Sequence, residues 1–175
     1  MTDIHLPENT LLILCGPAGS GKSSFAKRHF SHTQVISSDE CRALISDDVS
    51  NQNVSGHAFD LMHFIIEKRL LLGRFTVADA THLESDSRNI LRKICRRYGF
   101  LATVIVFNIS LDVCLDRNGL RTRKVPEEAV RRQHEMLINT LDEIKSEDYY
   151  RIYILNESNQ DTSRIEISPR IDRKP

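Results

Sequence analysis

A glycine-rich segment at residues 16–23 constrains this sequence more than any other feature. It reads GPAGSGKS and fits the pattern G-x-x-x-x-G-K-[ST] at every position. An apolar run of strand length, residues 11–15, precedes it, and a helix-like segment follows. Glycines in such a loop let successive backbone N–H groups turn toward one centre, where a helix N-terminus also attracts an anion. The segment therefore predicts a phosphate-binding loop between a strand and a helix.

The polar residues of this loop have expected tasks in binding a nucleoside triphosphate. Lys22 would reach the β- and γ-phosphates, and the Ser23 hydroxyl would bind Mg²⁺, which spreads the charge that develops during phosphoryl transfer. A plain connecting turn is the alternative, but the complete match in this context argues against it. ATPases, GTPases, switches and kinases share the loop, so it does not identify the acceptor. The residues predicted to bind the nucleotide are Gly16, Pro17, Ala18, Gly19, Ser20, Gly21, Lys22, Ser23, Ser24, Arg117 and Arg121.

Strand-like and helix-like segments alternate along the whole chain. The predicted strands are residues 11–15, 34–37, 75–78, 101–107 and 150–155, with helical spacing of apolar residues between them. This alternation predicts an α/β fold of the P-loop NTPase type, in which a central parallel sheet of about five strands has helices on both faces. Ligands should bind at the carboxyl ends of the strands.

Composition and charge exclude several classes of protein. The 175 residues are 40% hydrophobic, which suits one domain with one core. No apolar run is long enough to span a bilayer, and residues 1–7 lack a secretory signal, so we expect a cytoplasmic protein without membrane contact. The four scattered cysteines predict reduced packing residues. Because the formal net charge is zero, any contact with nucleic acid requires a local basic patch.

Asp39 and Arg42 lie three positions apart, where the second predicted strand gives way to a helix. This spacing puts both side chains on one helix face, toward the glycine-rich loop. A carboxylate there can accept the proton of an attacking hydroxyl, and an arginine can hold an acceptor phosphate with two hydrogen bonds. The alternative is that Asp39 caps the helix and pairs with Arg42 on the surface.

Asp79 ends the third predicted strand, where proteins with this loop usually carry a second carboxylate for Mg²⁺. We therefore predict Ser23 as a direct metal ligand, and Asp39 and Asp79 as groups that act on the metal directly or through water. The alternative for Asp79 is a helix cap or a turn residue. His82, three positions later, has a role near the site or a capping role.

Arginines cluster between two predicted helices near residue 120. Arg117, Arg121 and Arg123 lie in this short segment, which suggests a mobile lid that brings arginine to the transferring phosphate.

A second arginine cluster lies on one predicted helix. Arg88, Arg92 and Arg96 recur every four residues without intervening acids, so this helix has a strongly positive face. That face could follow a nucleic-acid backbone, but a solvated face is the favoured interpretation.

Together these motifs resemble the kinase domain of bacterial polynucleotide kinase-phosphatase, an enzyme of RNA end healing and repair. The matching motifs are residues 16–23, VISSDECR at residues 35–42, VADAT at residues 77–81 and the arginines from Arg117 onward, over a similarity from about residue 11 to residue 155. The resemblance implies that Asp39 is the general base for a 5′-hydroxyl and that Arg42 contacts the first phosphate of the acceptor strand. It also implies that Arg117 lies in a lid over the donor phosphates.

The expected protein is then a polynucleotide 5′-hydroxyl kinase that uses ATP or another NTP with Mg²⁺. Residues 1–168 would form the P-loop kinase domain, and residues 169–175 a charged tail, too polar to pack, or the start of a linker. Expected partners are 5′-hydroxyl ends of RNA or DNA, with single strands favoured, a second copy of the chain, and phosphatase or ligase modules of a longer enzyme. The rivals are a small-molecule kinase and a non-catalytic nucleotide-binding module. The predicted catalytic residues are Lys22, Asp39, Arg42 and Arg117.

Overall fold

The computed structural model describes residues 2–171, and its centre is a sheet of parallel strands. The strands are β1 Asp3–Pro7, β2 Thr10–Cys15, β3 Val35–Ser37, β4 Thr76–Asp79, β5 Leu101–Phe107, β6 Arg151–Leu155 and β7 Arg164–Ser168. Five of them form the central sheet in the order β3-β4-β2-β5-β6, and every pairing in it is parallel. These five correspond to the five predicted strands. Every residue of β2 and β5 is buried, as expected for inner strands covered on both faces.

In the described part of the chain, six α-helices surround this sheet. They are α1 Lys22–His29, α2 Ser38–Ser46, α3 Ser55–Leu71, α4 Ser85–Tyr98, α5 Leu111–Gly119 and α6 Glu127–Ser146. Alternate residues of the inner strands point to opposite faces, which produces two separate cores. Ile13 belongs to the core that contains Met62 of α3 and Leu91 of α4, whereas Leu12 packs with Phe25 of α1 and Cys114 of α5. The predicted helices on both faces are thus confirmed.

A second, two-stranded parallel sheet was not predicted from the sequence. It pairs β1 with β7 and sets Ile4 opposite Ile165. Ile4 is fully buried in the core beside α1 and α5. The predicted tail begins just after β7, and its Ile171 exchanges two hydrogen bonds with the Asn9 side chain, at 2.8 and 3.1 Å. The expectation that the tail does not pack is therefore wrong for Ile171, and residues 172–175 lie outside the described residues.

Two other expectations concern the cysteines and the membrane. All four cysteines are buried and outside any disulfide bond, as predicted. Within residues 2–171, no helix has the length and apolar character needed to cross a membrane.

The first arginine of α4 lies in the interior. Arg88 has no exposed side-chain surface, and its Nη2 lies 2.6 Å from Glu147 and 2.8 Å from Glu143. Its Nη1 donates hydrogen bonds to the carbonyl oxygens of His82 and Leu83, at 3.0 and 2.8 Å. Arg88 therefore joins α4, the end of α6 and the segment after β4.

The following arginines of α4 also face acids near the end of α6. Arg92 lies 3.7 Å from Glu147 and is almost buried, and Arg96 lies 3.5 Å from Asp148 with about half of its side chain exposed. Both interpretations of the basic face, as a nucleic-acid contact and as a solvated surface, are therefore wrong for Arg88 and Arg92. The physical reason is that the acids missing from α4 are supplied by another helix.

Candidate active site

The glycine-rich loop joins β2 to α1, as predicted. Gly19 and Gly21 both have positive φ, 83° and 95°, a conformation that side chains with a Cβ disfavour. A Cβ on Gly19 would come within 2.1 Å of the carbonyl oxygen of Cys114, and one on Gly21 would come within 2.1 Å of Nε2 of Gln160. The loop thus needs glycine at these positions both for its conformation and because α5 and the segment after β6 lie against it.

Lys22 is buried at the N-terminus of α1. Its ammonium donates to the carbonyl oxygens of Gly16 and Pro17, both at 2.8 Å, and lies 3.4 Å from the Ser20 hydroxyl. Burial lowers the pKa of Lys22, and the negative charge of Asp79 opposes this effect. The loop therefore holds its lysine through backbone carbonyls, next to a carboxylate.

Asp79 is the last residue of β4, next to Leu14 at the end of β2. It is buried and hydrogen-bonded to the Ser23 side chain. Burial raises the pKa of Asp79, while Lys22 and the Ser23 hydrogen bond lower it. The capping alternative is wrong, because α4 starts six residues later with Glu84 at its N-cap. The structure therefore brings together two of the predicted metal-binding residues.

His82 supports the end of β2. Its ring is buried, and burial lowers its pKa to about 4, so the neutral ring donates from Nδ1 to the carbonyl oxygen of Leu14 at 2.8 Å. The His82 carbonyl in turn accepts hydrogen bonds from Arg88 and from the Cys15 thiol. Since Glu84 is the N-cap of α4, a capping role for His82 is wrong.

Asp39 lies in the first turn of α2 and contacts two arginines. Its Oδ1 accepts from Arg42, as the spacing predicted, and its Oδ2 lies 2.7 Å from Nη1 of Arg123. The N-cap of α2 is Ser37, whose hydroxyl accepts from the backbone of Glu40, so the capping role considered for Asp39 is wrong. The pair with Arg42 is not a surface pair either, because only 6% of the arginine side chain is exposed.

Asp39 and Asp79 line one cleft of about 420 Å³ beside the glycine-rich loop. Ser23, Ser24 and Arg121 line it as well. The structure thus gathers five of the predicted site residues from α1, α2, β4 and the connection between α5 and α6 around a single cleft. Carboxylates, a hydroxyl and a guanidinium together can bind a metal-phosphate complex and a hydroxyl acceptor.

Arg117 lies outside the connection between α5 and α6. It belongs to the last turns of α5, where its Nη1 contacts the Ser20 carbonyl oxygen at 3.4 Å and Oε1 of Gln160 at 3.1 Å. The predicted position of Arg117 between two helices is therefore wrong, since this arginine belongs to α5 and contacts the glycine-rich loop. Its role in a lid over the donor phosphates stays a prediction. Arg121 and Arg123 do belong to the connection.

Two glutamines that the sequence did not indicate also contact the loop. Gln133 of α6 accepts a hydrogen bond from the backbone N–H of Ala18 at 2.8 Å. Gln160, in the segment between β6 and β7, is buried and donates to the Ser20 carbonyl oxygen at 3.0 Å. No motif marks either residue, because each reaches the loop only through the tertiary fold.

The fold and the site define a P-loop nucleotide-binding domain. The sequence profile of the AAA domain family matches residues 11–143, which is more than half of the chain. The chain belongs to this family.

Comparison with individual proteins confirms the resemblance seen in the sequence. The chain is 24% identical over 163 residues to a protein of Autographa californica nuclear polyhedrosis virus provisionally named a bifunctional polynucleotide kinase/RNA ligase. That match covers 84% of this chain but 23% of the viral protein. A chain of the Pnkp1/Rnl/Hen1 RNA repair complex has a similar fold, with a TM-score of 0.66 and 21% identity over 83% of this chain and 47% of that one.

A sugar-acid kinase shares the same fold at a lower score. The gluconokinase from Sinorhizobium meliloti 1021 superposes with a TM-score of 0.52 and 19% identity, over 86% of this chain and 83% of that one. The chain thus matches nearly the whole gluconokinase, but less than half the length of the RNA repair protein and about a quarter of the viral one.

Proposed function

We propose that this chain is an NTP-dependent polynucleotide kinase that transfers the γ-phosphate to the 5′-hydroxyl end of RNA or DNA. The observation that carries the proposal is the cleft that Asp39 lines together with Ser23 of the glycine-rich loop and Asp79. A nucleotide switch needs the loop and its metal-binding residues, but it does not need a carboxylate to activate an acceptor. Asp39 supplies that additional group.

The donor nucleotide would bind at the glycine-rich loop. Lys22 and Arg117 both contact that loop and would bind the phosphates of ATP or another NTP. The Ser23 hydroxyl and the adjacent Asp79 carboxylate fit Mg²⁺, which prefers oxygen ligands and keeps some of its waters. When bound, the metal would neutralise charge on the phosphates. Asp79 is buried near Lys22, and a bound cation would further stabilise its ionised carboxylate.

The acceptor hydroxyl would bind at Asp39. Its oxygen would attack the γ-phosphorus in line, the bond from phosphorus to the leaving diphosphate oxygen would break, and the hydroxyl proton would pass to the Asp39 carboxylate. Arg42, nearly buried and paired with Asp39, would hold that carboxylate in place and contact the acceptor phosphate. The name of the viral relative, which includes polynucleotide kinase, supports this acceptor class.

The same relative supports a modular enzyme. Because the viral protein combines kinase and ligase in its name and the match spans 23% of its length, we propose that this chain acts with a ligase or phosphatase module. A cytoplasmic location, dimer formation and the preference for single strands stay predictions.

A small-molecule kinase is the second candidate. The fold shared with gluconokinase extends over nearly all of that protein, and a cleft of about 420 Å³ can hold a metabolite. Acceptor competition distinguishes the candidates, because a short oligonucleotide should displace a polynucleotide acceptor and not a sugar.

The deciding experiment measures transfer of labelled γ-phosphate from ATP, with Mg²⁺, to a short strand with a 5′-hydroxyl. The same strand with a 5′-phosphate is the control. Asp39→Asn should lower transfer by about 10²–10⁴-fold, the usual contribution of a general base, and leave ATP binding intact. Asp142→Ala, which removes an exposed acid on α6, is the matched control and should keep full activity.

Three outcomes would contradict parts of the proposal. Full activity of Asp39→Asn would remove Asp39 from the mechanism. Transfer to gluconate or another sugar acid, but not to the strand, would favour the small-molecule kinase. ATP binding without product on any acceptor would favour a non-catalytic nucleotide-binding module.

A further inference from the structure

We propose that Arg123 is a gate on the acceptor side of the cleft, which occupies Asp39 until a phosphate next to the acceptor hydroxyl draws it away. The gate would restrict phosphorylation to hydroxyl compounds that carry such a phosphate. This inference rests on the proposed function, because it concerns the acceptor of the same reaction.

Both oxygens of the Asp39 carboxylate are engaged. Oδ1 accepts from Arg42, and Oδ2 accepts from Arg123 at 2.7 Å. To lose its proton to Asp39, an acceptor hydroxyl must come within hydrogen-bonding distance, about 2.6–3.2 Å, of one of these oxygens. Each oxygen has a second lone pair, but the guanidinium 2.7 Å from Oδ2 crowds that oxygen, so withdrawal of one arginine would give the hydroxyl free access.

Arg42 is the arginine that stays. It lies one turn after Asp39 in the same helix, only 6% of its side chain is exposed, and its Nη1 also donates to the carbonyl oxygen of Val49 at 3.3 Å. Withdrawing Arg42 would leave a buried guanidinium without its carboxylate, which is costly.

Arg123 is the arginine that can move. It comes from the connection between α5 and α6, its side chain is 29% exposed, and within residues 2–171 Asp39 is the hydrogen-bond partner found for it. The ends of this connection are closed by two hydrogen bonds between the Asn118 side chain and the backbone of Val125, at 2.7 and 3.0 Å. Leu120, in the same connection, is 89% exposed, so little packing restrains the chain there. Arg123 can therefore turn away while the anchors of the connection stay in place.

A phosphate group is the ligand that can exchange with Asp39 on Arg123. A positively charged guanidinium binds a phosphate through two parallel hydrogen bonds to its oxygens, as it binds a carboxylate. In a polynucleotide with a 5′-hydroxyl, the first phosphodiester belongs to the same nucleotide as the reacting hydroxyl. A nucleoside or a free sugar has no such group and would leave Oδ2 of Asp39 occupied. The donor triphosphate is the other source of phosphate, and the experiment separates the two sources.

The test compares two acceptors, thymidine 3′-monophosphate and thymidine, in the wild-type chain and in Arg123→Ala. In the variant, kcat/KM for the nucleotide should fall by about tenfold or more, as expected for the loss of a charge-assisted hydrogen bond, while kcat/KM for thymidine should rise. If Arg123 had only a structural role, its replacement would lower kcat/KM for both acceptors. Lys124→Ala removes one positive charge from the same connection and should leave the ratio between the two acceptors unchanged.

Equilibrium binding separates this inference from the proposed function. Arg123→Ala should bind thymidine 3′-monophosphate about tenfold more weakly than the wild type. Equal binding and an unchanged acceptor ratio would overturn the gate even if the chain phosphorylates 5′-hydroxyl strands. A raised KM for ATP with an unchanged ratio would assign Arg123 to the donor and would likewise overturn it. Absence of transfer together with binding that depends on Arg123 would defeat the proposed function and retain this phosphate contact.

Discussion

Replacing Arg88 with methionine should destabilise the chain more than the loss of the exposed arginines on α4. Methionine fills part of the space that the arginine occupies, but it cannot pair with Glu147 and Glu143. It also removes one of the two hydrogen-bond donors to each of the carbonyl oxygens of His82 and Leu83, which keep the Cys15 thiol and the Thr140 hydroxyl. The variant therefore measures the cost of a largely buried acid that loses its main partner.

The size of this effect follows from the surroundings of each acid. Removing one partner of a buried ion pair typically costs about 3–5 kcal/mol. Glu147 is 9% exposed but keeps Arg92 at 3.7 Å, and Glu143 is 48% exposed and can be hydrated. Both facts favour the lower end of this range, a loss of about 3 kcal/mol in the free energy of unfolding. Since one kcal/mol moves the Tm of a domain of this size by about 2–4 °C, Tm should fall by about 6–12 °C.

Urea and thermal unfolding of the wild type and of Arg88→Met measure this difference directly. Arg96→Ala is the matched control on the same helix, because its pair with Asp148 is 3.5 Å long and about half exposed on both sides. Such a pair contributes about 0–1 kcal/mol. If both variants lost the same stability, the Arg88 network would not stabilise the fold and the reasoning from burial would be refuted.

The acid pH dependence of the same network has a definite sign. Burial raises the pKa of Glu147, but the hydrogen bonds and charge of Arg88 outweigh burial, so the folded-state pKa lies below the ordinary value of 4.5. A group with a depressed folded-state pKa stabilises the fold above its unfolded pKa, and this contribution is lost as pH falls through the folded-state value. The difference in stability between wild type and Arg88→Met should therefore shrink when pH falls below about 4.5.

Two further predictions concern the nucleotide site. Gly19→Ala should lower both Tm and ATP affinity, because its Cβ would lie 2.1 Å from the Cys114 carbonyl oxygen. Gly73 has a similar φ but open space around it, so Gly73→Ala should lose less stability and retain ATP affinity. Equal losses of stability in the two variants would contradict a steric cause. Asp79→Asn should raise the Tm of the nucleotide-free chain at pH 7, because burial raises the pKa of Asp79 and its ionised form is disfavoured in the folded state. This gain should disappear as pH falls below the unfolded value of about 3.8, and a lower Tm at pH 7 would show that the attraction of Lys22 outweighs burial.

The central sheet was predictable because its strands are continuous apolar runs. Strands covered on both faces bury every side chain, and residues 101–107 show this pattern without interruption. The two-stranded sheet was missed because β1 and β7 are short, partly exposed and about 160 residues apart in the chain. Their pairing depends on contacts that no local pattern reports.

The basic face of α4 illustrates the limit of helical periodicity. A spacing of four residues shows that Arg88, Arg92 and Arg96 share a face, but the same spacing occurs on solvated and on buried faces. Glu143 belongs to α6 and Glu147 is the residue that follows it, more than fifty residues later in the chain. Only the packing of α6 against α4 turns a row of arginines into an interior ion-pair network.

The sequence by itself determined the parts of the site that depend on neighbouring residues. The glycine-rich loop and the contact between Asp39 and Arg42 follow from backbone geometry within one turn or one helix. At that range the number of residues between two positions fixes the distance between them in the structure. Tertiary structure decided which distant side chains meet there. Arg123 reaches Asp39 from 84 residues away, and Gln160 reaches Ser20 from 140 residues away, because the carboxyl ends of parallel strands gather remote connections at one edge of the sheet.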